Sequence, residues 1–202
     1  MNDIRFNKTL IWINALVPIA LLGYDGVRGQ LGANPIEFFI RTTGVLTLLG
    51  VLATLSVTPL RKLTGNNQLI KYRRTLGLFT FFYGCIHLST YIVFDRGLSL
   101  SGTVADVIQR PFIALGMTAF LLMVPLAITS TNAMIKRLGG KRWQRLHQLI
   151  YITGILGVIH FWMLVKSDVF YPAVFGFALA VLLGYRIYAK FTPKPAPRRS
   201  TA

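Results

Sequence analysis

Acidic residues are scarce in this chain, with six Asp and Glu against 22 Lys and Arg in 202 residues, a formal net charge of +16. None of the six acids falls inside a long uncharged run. That argues against a proton-coupled transporter, whose spans usually carry Asp or Glu near the midplane. Cysteine is nearly absent: Cys85 alone excludes a disulfide framework and a thiolate metal site, and its expected role is apolar packing. Neither G-x-G-x-x-G nor a Walker A pattern occurs, so a nicotinamide or nucleotide cofactor is not bound by those routes.

What is present is apolar. Hydrophobic residues make up 53% of the chain and the mean hydropathy is +0.56, values that exclude a disordered basic tail and a soluble nucleic-acid binder. Six long uncharged stretches run from Thr9 to Tyr24, Thr42 to Leu60, Thr75 to Phe94, Pro111 to Ile135, Leu146 to Val165 and Val169 to Tyr185. A hydrocarbon core needs about 20 mainly apolar residues in a helix. The first stretch is slightly short, and Lys8 lengthens it by snorkelling. It lacks an A-x-A-like cleavage site, so an uncleaved span is expected rather than a signal peptide. The expected fold is an all-α integral membrane protein, a six-helix transmembrane bundle over residues 1–190, followed by a flexible basic tail over 191–202 that is rich in proline.

Charge sets the expected orientation. The N-terminus, the loops after spans two and four, and the tail hold 17 of the 22 basic residues. The other side holds Arg28, Arg41, Arg96, Arg110 and Lys166, balanced by Asp25, Glu37, Asp95, Asp106 and Asp168. The positive-inside rule then places both termini in the cytoplasm, where the basic excess meets anionic lipid headgroups. No nucleic-acid partner is expected.

All three histidines, His87, His147 and His160, fall within the uncharged runs. Ionisable residues inside spans are costly and mark functional sites, against the alternative of a simple interhelical hydrogen bond. His87 and His160 lie near the same end of spans three and five, at depths differing by only about 3 Å, and His147 sits about 20 Å deeper. Gly84 and Gly157 each precede an outer histidine by three residues, on the same helix face, where they would leave room for a flat macrocycle; small-residue helix packing is the alternative reading. Paired imidazoles without thiolate or carboxylate partners match haem ligation better than zinc. His147 and His160 are 13 residues apart and do not share an ideal helical face. Either the helix is distorted near Gly154 and Gly157, or two sites lie on different sides of it. Thirteen residues before His87 stands Arg74, which cannot easily ligate iron. Arg73 and Arg74 are candidates to hold haem propionates or a flavin phosphate, or serve only as topology signals.

Several stretches together carry a resemblance: Thr58-Pro59, Arg73 to Leu78, Tyr83 to Tyr91 around His87, Arg110-Pro111, Pro125 to Ser130, Trp143 to Tyr151 around His147, and His160. The chain resembles the MsrQ (YedZ) family, haem-bearing membrane subunits of bacterial methionine sulfoxide reductase systems, within the ferric-reductase-like transmembrane group. The resemblance implies b-type haem ligated by His87 and His160, with His147 at a second, inner site, and an associated FMN whose place the sequence does not show. It implies electrons drawn from the quinone pool or a cytoplasmic flavin reductase. They pass outward across the bacterial inner membrane to the periplasmic molybdenum enzyme MsrP, where sulfoxide reduction itself takes place. The alternatives are a cytochrome b serving another reductase, or a haem-free transporter or scaffold whose histidines only pack.

Overall fold

The structure is a computed structural model describing residues 3–192, and it contains helices and turns with no strand among the described residues. The helices are α1 (Asp3–Val27), α2 (Pro35–Thr64), α3 (Arg73–Thr90), α4 (Leu100–Gln109), α5 (Pro111–Ile128), α6 (Asn132–Leu138), α7 (Gly140–Leu146), α8 (Leu149–Leu164) and α9 (Phe170–Phe191). A 3₁₀ segment, Asn67–Tyr72, leads into α3, and a π-helical turn, Tyr91–Asp95, closes it. Six segments are long and apolar enough to cross a membrane: Ile4–Val27, Pro35–Thr64, Asn67–Asp95, Pro111–Ile128, Gly140–Leu164 and Phe170–Phe191. The protein is a multi-pass membrane protein. The expected tail lies, from residue 193 onward, outside the described residues.

Local chemistry sets the helix ends. Asn34 accepts from the Glu37 amide while Pro35 occupies the first turn of α2, and Gly65 ends that helix in the left-handed region at φ 69°. Ser99 caps α4 by accepting from Gly102. On α4, Thr103 and Asp106 are buried while Leu100, Val104 and Ile108 stay exposed at four-residue spacing, the pattern of a helix lying in the membrane interface.

Helices α2, α3, α5 and α8 form a ring. α2 packs on α3 and α5 on α8, with lesser contacts of α3 with α5 and α2 with α8. α3 and α8 therefore face each other across the diagonal. α9 packs outside against α8 and α2, and α1 against α3 and α2. Val51, Leu55, Leu126, Ile150 and Leu179 form the buried core toward the basic end. A methyl at Gly50 would stand only 2.5 Å from Thr80 Oγ1 and 3.2 Å from Thr80 Cα, so glycine permits the closest approach of α2 and α3.

Two expectations are corrected. The uncharged run from Pro111 to Ile135 is not one helix, because α5 stops at Ile128. Its final carbonyls are taken by side chains: Thr129 Oγ1 donates to Pro125 O at 2.6 Å, Ser130 Oγ to Leu126 O at 2.7 Å, and Trp143 Nε1 to Thr129 O at 2.9 Å. These side chains supplement the backbone N–H donors at this helix end. The fifth span is interrupted at His147 and Gln148, between α7 and α8, and α8 runs unbroken through Gly154 and Gly157.

Pro59 lies inside α2 and has no N–H, so the Leu55 carbonyl four residues earlier loses its helical donor. Arg186 of α9 supplies one. Its Nη2 donates to Leu55 O at 2.5 Å and its Nη1 to Leu182 O at 2.9 Å, and the guanidinium lies over the Tyr151 ring at 5.4 Å. Replacing Arg186 by Met should therefore destabilise the bundle by about 1 kcal/mol, the scale of interhelical hydrogen bonds in membranes. Pro59→Ala restores the helical donor and should absorb most of that loss. Detergent-denaturation midpoints of the two single variants and the double variant check this, and additive losses would disprove the pairing.

Candidate functional site

His87 from α3 and His160 from α8 reach into the centre of the ring from opposite corners. Their ring centroids are 6.2 Å apart and their planes cross at 84°. Each ring is held through Nδ1 by a backbone carbonyl of the neighbouring helix: Ile40 O of α2 at 2.9 Å for His87, and Phe112 O of α5 at 2.6 Å for His160. A carbonyl only accepts, so the hydrogen-bond network assigns the proton to Nδ1 and the lone pair to Nε2 in both rings.

A glycine stands four residues after each accepting carbonyl. A methyl at Gly44 would lie 3.0 Å from His87 Cε1 and 3.1 Å from its Nδ1; at Gly116 it would lie 2.9 Å from both Cε1 and Nδ1 of His160. In a helix the carbonyl of residue i lies beneath residue i+4, so the missing side chain exposes that carbonyl to the imidazole. The arrangement occurs twice, once in the pair α2–α3 and once in α5–α8.

This geometry fits the haem that the resemblance implies. Two imidazoles with free Nε2 atoms and centroids 6.2 Å apart would hold an iron between them. A histidine whose other nitrogen donates to a carbonyl has the tautomer and the fixed orientation of a metal ligand. Among the described residues no cluster of three or more His, Cys, Asp or Glu offers a different metal site.

The other expected residues are placed differently. His147 sits at the break between α7 and α8, stacked on Trp143 with centroids 3.9 Å apart, and its Nε2 lies 3.0 Å from Thr129 Oγ1. Thr129 gives its own proton to Pro125 O, so the His147 Nε2–H donates to Thr129 and the free lone pair is on Nδ1, the reverse of the central pair. Arg74 is exposed and donates to Asn132 Oδ1 at 2.6 Å. Arg73 is half-buried and lies in Coulombic reach of His147. Gly84 and Gly157 face side chains of neighbouring helices. A methyl at Gly84 would meet Met123, Phe120 and Thr47 at 3.5 to 3.7 Å, and one at Gly157 would meet Leu48 at 3.2 Å. Both lie where a neighbouring helix packs, and the clearance for the imidazoles themselves is at Gly44 and Gly116. The sequence does not reveal those two, because each lies on the membrane span preceding that of its histidine, more than 40 residues away.

The end of the ring nearest this pair is closed by a polar cluster, also unforeseen. Buried Asp106 of α4 accepts from Tyr91 Oη at 2.6 Å and pairs with Arg96 Nε at 2.8 Å and Arg110 Nε at 3.3 Å. It ties the interfacial helix to the π-helical turn that ends α3. A buried carboxylate is retained only with such partners.

A helical membrane ring with two opposed, carbonyl-held imidazoles at its centre defines a class, the membrane bundles that set two histidines with free Nε2 atoms between their helices. The family described as "Ferric reductase like transmembrane component" matches residues 38–158, a span that contains Ile40, Gly44, His87, Phe112, Gly116 and His147. Curated proteins named "Protein-methionine-sulfoxide reductase heme-binding subunit MsrQ" are similar over most of their length. The protein from Ralstonia nicotianae is 49% identical over 188 residues, 92% of this chain and 87% of that protein. That from Herminiimonas arsenicoxydans is 49% identical over 183 residues, 90% of this chain and 84% of that protein. That from Rhodospirillum rubrum is 43% identical over 195 residues, 96% and 91%. The chain belongs to the MsrQ family of ferric-reductase-like transmembrane proteins.

The two kinds of glycine can be separated by experiment. Gly44→Ala and Gly116→Ala should each displace an imidazole and cut the haem retained by the purified protein several-fold. Gly84→Ala, whose new methyl meets only ordinary contacts, should retain it; absorbance near 400 nm relative to protein is the readout.

Proposed function

We propose that this protein is a haem b electron-transfer subunit, carried by one observation: two imidazoles 6.2 Å apart whose Nδ1 atoms are both spent on backbone carbonyls. His87 and His160 would hold the haem iron. Ile40 O and Phe112 O orient them, and the surrounding ring excludes water from the pair. Haem bound there supplies reversible one-electron chemistry. The chain does the holding and insulating, and sulfoxide reduction belongs to a partner.

The name shared by the relatives supports a place in a methionine sulfoxide reductase system. Electrons enter at the basic end from the quinone pool or a cytoplasmic flavin reductase, and leave at the end closed by Asp106 for a periplasmic methionine sulfoxide reductase, MsrP, which repairs oxidised envelope proteins. The basic end, with both termini, faces the cytoplasm of the bacterial inner membrane, as the positive-inside rule requires. His147 belongs to an inner site at that end, where FMN or a second haem is held with help from Arg73 and Arg74. Residues 1–190 act as one membrane domain and 191–202 as a tail.

The purified protein should show a Soret band and, after dithionite, a sharp α band. His87→Ala and His160→Ala should each remove the central haem, and unchanged absorbance in both variants would refute the ligand assignment. Imidazole planes at 84° should also give a strongly anisotropic low-spin electron paramagnetic resonance signal in the oxidised protein.

Orientation has a separate check. A C-terminal fusion to alkaline phosphatase should be inactive and a fusion to green fluorescent protein bright; the opposite pair of results would reverse the assigned direction of electron flow.

A further inference from the structure

The end of the ring that Asp106 closes also holds a cavity of about 330 Å³, lined by Arg41 of α2 and by Leu164 to Asp168 at the turn from α8 to α9. Its place relative to the histidines follows from helical register. Arg41 stands three residues before Gly44 and seven before Leu48, so the three share a face of α2. Gly44 turns that face toward His87, and Leu48 packs it on Gly157 of α8. Leu164 in turn stands seven residues after Gly157 and four after His160, on one face of α8. The cavity therefore begins one helical turn, about 5.4 Å, beyond the imidazole pair, at the end of the seam between α2 and α8.

Haem carries two carboxylates on one edge of its porphyrin, and that edge has to reach a polar environment, because an unpaired carboxylate in hydrocarbon is costly. Toward the basic end the way is filled by the apolar core of Val51, Leu55, Leu126, Ile150 and Leu179. Beside α4, Arg96 and Arg110 are already paired with Asp106. In the cavity, Lys166 has no ion-pair partner among the described residues. Arg41 pairs with Glu37 at 2.5 Å, but both side chains are exposed, and a surface pair of this kind contributes at most about 1 kcal/mol and yields readily to a better acceptor. Asp168, the acid in the lining, accepts from the Phe170 amide at 3.2 Å and is engaged by the start of α9.

We infer that Arg41 and Lys166 bind the two haem propionates, an assignment that rests on the iron being held by His87 and His160. The Arg41 guanidinium takes one carboxylate in two-point contact, and Lys166 meets the other as a point charge. Arg73 and Arg74 are left out of this role. They open α3 thirteen or more residues before His87, about 20 Å along the helix and beyond the reach of a porphyrin held there.

The test uses the purified full-length holoprotein and two readouts, the rate at which haem passes to excess apomyoglobin and the propionate bending bands in resonance Raman spectra. Arg41→Gln combined with Lys166→Gln should release haem about tenfold faster than wild type, the scale of one lost charge-assisted contact, and should move the propionate bands. Arg41→Lys should recover most of what Arg41→Gln loses. Arg28→Gln removes the same charge from the same end of the bundle, over the Tyr24 ring and outside the cavity, and should leave both readouts at wild-type values. Faster release with unmoved propionate bands would assign the two cations to the structure of the bundle and overturn the inference. Rate and bands that both stay unchanged in the double variant would overturn it as well, and either result leaves the assignment of His87 and His160 untouched. Wild type that is colourless would overturn the haem reading itself, and this inference with it.

Discussion

Everything at the centre of this protein depends on a hydrogen bond from an imidazole Nδ1–H to a backbone carbonyl of the adjacent helix. His87 uses Ile40 O and His160 uses Phe112 O. The bond does two things together: it sets the tautomer that leaves Nε2 free, and it fixes the ring plane. Neither would be possible with a side chain at Gly44 or Gly116, because its Cβ would fall within 3.0 Å of the imidazole. At Ile40 and Phe112 the helix carbonyl takes the imidazole as a second donor because the residue four positions on is glycine and leaves it uncovered.

A similar economy governs the rest of the bundle. In hydrocarbon no water is available to satisfy a broken backbone bond, and two irregularities here are matched with side chains. The proline-freed carbonyl of Leu55 takes Arg186, and the abrupt end of α5 takes Thr129, Ser130 and Trp143. These solutions place charge and hydrogen-bond donors deep at the basic end. His147 joins them through Thr129, which is why its ring presents the opposite nitrogen from the central pair. The two halves of the membrane thus differ in character: an apolar ring around two neutral imidazoles at one end, and a cationic, hydrogen-bonded cluster at the other.

Much of this was legible in the sequence. Long uncharged runs announce transmembrane helices because burying backbone and apolar side chains in lipid requires them, and all six are present. The pairing of His87 with His160 followed from equal depth on parallel helices. What was not legible were features that depend on contacts between distant segments. Gly84 and Gly157 attracted attention because they sit one turn from the histidines, yet they face Met123 and Leu48. Asp106 looked like an ordinary loop acid and proves to be a buried anchor for Tyr91, Arg96 and Arg110. Nor did an uncharged run from Pro111 to Ile135 disclose that its helix stops at Ile128, since hydropathy is blind to side-chain capping.

The sequence by itself determined that the chain spans a membrane six times, that its basic residues gather at one end, and that three histidines lie between. Those properties follow from composition and from one-dimensional spacing along helices. The tertiary structure alone decided which nitrogen each histidine presents, which glycines make room for it, and where Arg186 meets the carbonyl that Pro59 frees. These are matters of angle and distance between helices far apart in the chain. An imidazole chooses its tautomer by the acceptor it meets, and a guanidinium can replace a missing helical donor only where packing brings it to the freed carbonyl.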